Sequence, residues 1–201
     1  MAILIQESWL PATFTPPPMS DDEFMAFCGE YPDLFFEMST VGELRVMPPA
    51  GALTGVRNVK IGAALYQWNE WAERGVCTGC TAGFVLPNGA RRSADAAWTS
   101  NERLDAMPPG MINGCWHLCP NFVIELRSDT DRLKTVREKM EEWIDNGAEL
   151  GWLIDPSRKA VEIYRPTREP EILTDIGTVT GEGPVDGFEL DLKRVWHPRG
   201  F

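Results

Sequence analysis

Asp95 lies in the alternating stretch Ser93 to Trp98, and 30 residues later Glu125-Leu126-Arg127 closes a strongly apolar run, Phe122-Val-Ile124. Side chains alternate along a β-strand, so Glu125 and Arg127 project to one face and Leu126 to the other. If the strand of Asp95 neighbours that of Glu125, two carboxylates and one fixed cation converge on a single spot. Such oxygen donors suit a hard divalent cation, magnesium or in its place manganese, which takes oxygen ligands and retains several waters. Hydrolysis of phosphodiester bonds uses that arrangement. The metal polarises a phosphoryl oxygen and lowers the pKa of bound water, while a nearby cation stabilises the charge growing on the phosphorus oxygens. On spacing alone, ordinary strand-end ion pairs with Arg92 or Arg127 account for the same two acids.

The elements that must position these residues are legible in outline. Residues 1–19 carry Pro11, Pro16, Pro17 and Pro18 and no sustained periodicity, so they read as an extended arm, and residues 20–201 read as a single domain. Ser20-Asp-Asp-Glu23 has the form of a capping box opening a helix through about Cys28. Leu34 to Met38 and Glu43 to Met47 suggest an antiparallel hairpin, and Pro48-Pro-Ala-Gly51 breaks it. Apolar residues from Val59 to Ala72 predict one helix over about 54–74. Strands are expected at Thr81 to Leu86 and Ser93 to Trp98, divided by the turn signal Pro87-Asn88-Gly89, and at Asn121 to Leu126. Between the last two lie a helical turn, Asn101 to Met107, and a break at Pro108-Pro-Gly110. A helix is expected from Thr130 to Asn146 with the stripe Leu133, Val136, Met140, Trp143 and Ile144, stopped by Gly147. Leu150 to Ile154 and Ala160 to Tyr164 read as paired strands around Asp155-Pro156, with Glu171 to Leu173 as a further strand. This order implies an α/β domain, a mixed β-sheet flanked by helices with N-terminal and C-terminal β-hairpins.

Across roughly residues 18–195 the chain resembles the Uma-two family of bacterial restriction endonucleases, within the PD-(D/E)XK nuclease superfamily. The resemblance rests on Pro18-Met-Ser-Asp-Asp-Glu-Phe24, Glu37, Gly42-Glu43, Met47-Pro48, Thr81 to Gly89 and Arg92-Ser-Ala-Asp95. It continues through Cys119-Pro-Asn-Phe-Val-Ile-Glu-Leu-Arg127, Lys139 to Gly147 and Gly151-Trp-Leu-Ile-Asp-Pro156. It implies a restriction-endonuclease-like fold and a magnesium-dependent endonuclease acting on nucleic acid, DNA in the first instance. Asp95, Glu125 and the carbonyl of Leu126 would be the metal ligands. Two positions depart from the superfamily pattern. Arg127 stands where a lysine is expected, and Ala94 precedes Asp95 in place of proline. Arginine stays protonated, so Arg127 could stabilise charge but could not take a proton from water. The resemblance offers Lys139, in the middle of the following helix, as the migrated cation, and Glu37 as a further carboxylate.

Composition sets limits on these readings. The net charge of −11 opposes a nucleic-acid partner, since binding to a polyanion rests on Lys and Arg. It favours a second reading, a catalytically silent interaction or assembly module that keeps the nuclease fold. Against it stand three local basic groups: Arg91-Arg92; Arg127, Arg132, Lys134, Arg137 and Lys139; and Lys193, Arg194 and Arg199. Five cysteines, an odd number, argue for free thiols. Cys77, Cys80, Cys115 and Cys119, with His117 as a spare ligand, form a zinc pattern that core packing of the thiols disfavours. No stretch is long and apolar enough for a membrane span, and Met1 to Gln6 does not have the form of a signal peptide, so a cytoplasmic location is expected. A homodimer would place two sites on the two strands of a duplex.

Overall fold

The computed structural model describes residues 10–108 and 114–198. The first nine residues of the expected arm, Pro109-Gly110 of the expected break, and Arg199 lie outside the described residues. In chain order the elements are β1 (Ala12–Phe14), α1 (Asp21–Glu30), β2 (Phe35–Met38), β3 (Leu44–Met47), α2 (Ala52–Ala72), β4 (Gly75–Gly79), β5 (Phe84–Val85), β6 (Arg91–Arg92) and β7 (Ala96–Ser100). Then follow α3 (Asn101–Asp105), β8 (Phe122–Leu126), α4 (Leu133–Asp145), β9 (Leu150–Asp155), β10 (Ala160–Tyr164), β11 (Glu171–Thr174), β12 (Thr178–Thr180), β13 (Glu189–Asp191) and α5 (Lys193–Trp196). The capping box forms at α1, with the Glu23 carboxylate accepting from the Ser20 N–H at 2.8 Å.

Among the described residues, six strands make the principal sheet in the order β11-β10-β9-β8-β7-β4, and five make a smaller sheet, β1-β3-β2-β6-β5. Within the principal sheet β8 and β9 are parallel, joined by a crossover through α4, while the other pairs are antiparallel. Alternation along β8 sends Phe122, Ile124 and Leu126 into one core with Ile61 and Leu65 of α2, and Val123 into another with Met140 and Trp143 of α4. A third cluster, Phe24, Met38, Leu44 and Val46, packs α1 on the smaller sheet. The mixed sheet flanked by helices is thus present, as are the hairpins β2–β3, β9–β10 and β12–β13.

Three strand assignments need correction. The strand expected over Thr81 to Leu86 shrinks to β5, and the Pro87-Asn88-Gly89 turn joins it to β6 in the smaller sheet. The neighbour of β7 on its outer side is instead β4. Asp95 stands just before β7, not within it. The β7–β8 ladder runs only from Ala96 opposite Ile124, because the next free N–H, that of Leu126, bonds the Asp95 carboxylate.

Candidate active site

Three acids and one lysine meet where the ends of β7 and β8 face α4 and the smaller sheet. Asp95 accepts hydrogen bonds at both carboxylate oxygens, from the Leu126 N–H at 2.7 Å and from the Asn58 side-chain amide at 2.9 Å. The sequence therefore places Asp95 between two elements, the end of β8 and the second turn of α2. Burial raises its pKa, opposed by the Leu126 bond, the charge of Lys139 and the Asn58 bond. Glu125 takes the α4 side of β8, as the period of two requires, and is 5% exposed. Its carboxylate accepts from the Trp143 indole at 2.8 Å and contacts the Lys139 ammonium at 2.9 Å. Burial, helped by the charges of Asp95 and Glu37 and resisted by Lys139, pushes its pKa up to about 7.

Lys139 is the hub of the group. Its ammonium contacts Glu37 at 2.7 Å as well as Glu125, and donates to the Ser93 carbonyl at 2.7 Å. Burial alone would favour its neutral form, but the charges of Glu125 and Glu37 outweigh burial and hold its pKa above the ordinary lysine range. Glu37 comes from β2 of the smaller sheet. Its burial penalty is exceeded by the charges of Lys139 and Arg92, so its pKa is lowered. Arg92 lies 4.0 Å from Glu37 and is bonded more closely, at 2.5 Å, to Glu142 of α4.

Of the sequence-derived residues, the structure thus brings Asp95, Glu125, Lys139 and Glu37 together and sends Arg127 elsewhere. The Arg127 guanidinium donates to Asp155 at 2.9 Å, to Ser157 at 3.1 Å and to the Asp131 carbonyl at 3.1 Å. The parallel register sets Leu126 opposite Ile154, so the next residues on the two strands, Arg127 and Asp155, are natural partners. Asn58 and Trp143 were missed as site residues, because each stands in a helix whose pattern spoke only of packing.

The donor set fits magnesium better than a softer metal. Among the described residues, no group of three or more His, Cys, Asp or Glu side chains could hold a metal ion. Asp95, Glu125 and backbone oxygen would have to suffice, which accords with a cation that uses one or two carboxylates and keeps its waters. The N–H and C=O of one strand residue face the same edge, so the Leu126 carbonyl lies on the Asp95 side of β8. Three acids stand against the full charge of Lys139 and the shared charge of Arg92, and the charges of Asp95 and Glu37 add to the burial that raises the pKa of Glu125. The thiols are distributed differently. Cys77 packs on the α2 core and Cys119 in the α4 core, on opposite sides of the sheet, and burial pushes both up to about 12.

The chain matches a family model described as "Uma2: Putative restriction endonuclease" over residues 21–193. It is similar to the crystal structure of a putative nuclease from Anabaena variabilis, with a TM-score of 0.70 at 18% identity, covering 89% of this chain and 98% of that one. That likeness establishes the restriction-endonuclease-like fold. No curated protein matches.

Proposed function

The chain belongs to the Uma2 family, and from that premise we propose that it is a metal-dependent nuclease hydrolysing phosphodiester bonds of nucleic acid, DNA in the first instance. The observation that carries this reading is the meeting of Asp95, Glu125 and Lys139 at the end of two neighbouring strands. Asp95, Glu125 and the Leu126 carbonyl would hold magnesium or manganese, which when bound polarises the phosphoryl group and acidifies water. Lys139 stays protonated, so its part is a fixed positive charge beside the phosphoryl oxygens and not that of a base. Leu126 N–H and Asn58 orient Asp95, and Trp143 orients Glu125. Glu37 anchors the Lys139 ammonium from the opposite sheet.

The test is cleavage of plasmid and oligonucleotide substrates with magnesium or manganese. The native chain should cut, and Asp95→Asn, Glu125→Gln and Lys139→Met should lose cutting while remaining folded by circular dichroism. A variant at Asp95 that cuts as fast as the native chain would sink the proposal.

One observation favours the second reading, a silent interaction module. Glu125 is almost fully buried and its carboxylate is already engaged by Trp143 and Lys139. Absence of both metal binding and cleavage in the folded native chain would select it.

A further inference from the structure

Asn58 carries an oxygen without a hydrogen-bond partner among the described residues. It stands on α2 three residues before Ile61, and Ile61, Leu65 and Asn69 continue the same buried face. Its side-chain nitrogen donates to Asp95 Oδ1 at 2.9 Å, and this fixes the amide, since the flipped arrangement would set two oxygens against each other. The carboxamide oxygen is then buried and makes no hydrogen bond among the described residues. A buried acceptor in that condition is destabilising and calls for an explanation. Asn69, three turns further along the same helix, supplies the contrast. There the oxygen accepts from the Trp98 indole at 2.7 Å and the nitrogen donates to the Gly75 carbonyl at 2.9 Å. The helix gives both polar atoms of an asparagine a partner where the role is packing, and leaves one oxygen open where the amide touches Asp95.

We propose that the Asn58 side-chain oxygen is a donor to the divalent cation, a neutral ligand that reaches Asp95 from the α2 side of the sheet. The proposal rests on the metal-dependent reading above. A neutral oxygen of this kind suits a site where three acids already crowd one lysine, because it adds a ligand without adding charge.

The experiment is manganese binding to the full chain, followed by calorimetry and by the manganese paramagnetic resonance signal, for the native protein, Asn58→Ala and Asn58→Asp. Thermal melting of each metal-free form controls for folding. Asn58→Ala should weaken binding by about tenfold or more, within the range seen when a site's supporting groups are removed. Asn58→Asp restores an oxygen but not the hydrogen bond to Asp95, and should bind at least as tightly as the native chain. If Asn58→Ala fails to fold, Asn58→Ser, whose hydroxyl is too short to reach, serves the same comparison. Equal weakening in the alanine and aspartate variants overturns the proposal and leaves Asn58 as a residue that positions Asp95. Unchanged binding in both overturns it too, while the nuclease reading stands. A native chain that binds no manganese overturns both together.

Discussion

Lys139 gathers two buried carboxylates and a carbonyl around one ammonium, and removing it strands like charges. Breaking a buried ion pair from one side costs about 3–5 kcal/mol, so Lys139→Met should lose stability of that order. Adding Glu125→Gln should restore part of it, and urea denaturation reads both. Glu125 supplies a separate prediction. Its carboxyl titrates near 4.5 in the unfolded chain and at about 7 in the fold, so between those values the native state holds the extra proton. The contribution of this group is full below about 4.5 and is lost as pH rises through about 7. Each tenfold difference in proton affinity between the folded and unfolded chain is worth about 1.4 kcal/mol, so metal-free Glu125→Gln should escape a decline on the order of 2–3 kcal/mol across that window. Glu37 has the opposite sign, stabilising above its ordinary pKa and losing that contribution as pH falls, and it remains in both proteins being compared. A variant that keeps the native slope would refute the assignment to Glu125.

At the scale of elements, Met140 and Trp143, buried in one cluster, hold α4 on the sheet, and Trp143 also bonds Glu125. Gly151 of β9 lies against the Met140 methyl, where an added Cβ would collide. That methyl is the flexible end of its side chain, so Gly151→Ala should be absorbed largely by its rotation, costing about 1 kcal/mol, the low end for overpacking, and should leave cleavage near native. Chemical denaturation and cleavage assays on the same preparation check both. The stripe that places Met140 and Trp143 was readable from helical periodicity, as were the capping box at Ser20 and the apolar run of β8. β4 was not readable, because Gly75 and Gly79 bound a five-residue strand with no alternation of apolar and polar residues. The limits of β7 were hidden for another reason. A side chain, Asp95, takes the backbone donor that would have extended the ladder, and propensity cannot register such a substitution. Spacing along β8 offered Arg127 as the cation, yet its partner Asp155 lies on the adjacent parallel strand and becomes visible only with the register. Lys139 and Glu37 came from family resemblance alone, since a helix lysine and a hairpin glutamate carry no local sign of meeting.

The whole molecule carries a net charge of −11, so any polyanion must be met by local field. Arg127 just past β8, Arg137 of α4 and Arg158 after β9 cluster around Asp155 and Glu162, and Lys134, paired with Glu138, stands one turn before Arg137 on α4. Buried Asp155 and Glu162 hold the three arginines in place. Lys134 is 88% exposed, and its replacement by alanine should leave folding intact. If that cluster tracks a phosphate backbone, Lys134→Ala should lower the slope of log affinity against log salt by about 1 without changing sequence preference. Binding titrations at several salt concentrations check this, and an unaltered slope places the nucleic acid elsewhere. The position of Lys139 has a consequence in the order of events during folding. The acids it balances stand on β2, on β8 and before β7, whereas the ammonium arrives with α4. Until that helix docks, Arg92 of β6, 4.0 Å from Glu37, is the nearby counter-charge the two sheets supply, so docking of α4 and completion of the charged centre are one step. A copy in which α4 is undocked lacks the ammonium that gathers Glu37 and Glu125, so the charged centre exists only in the packed fold.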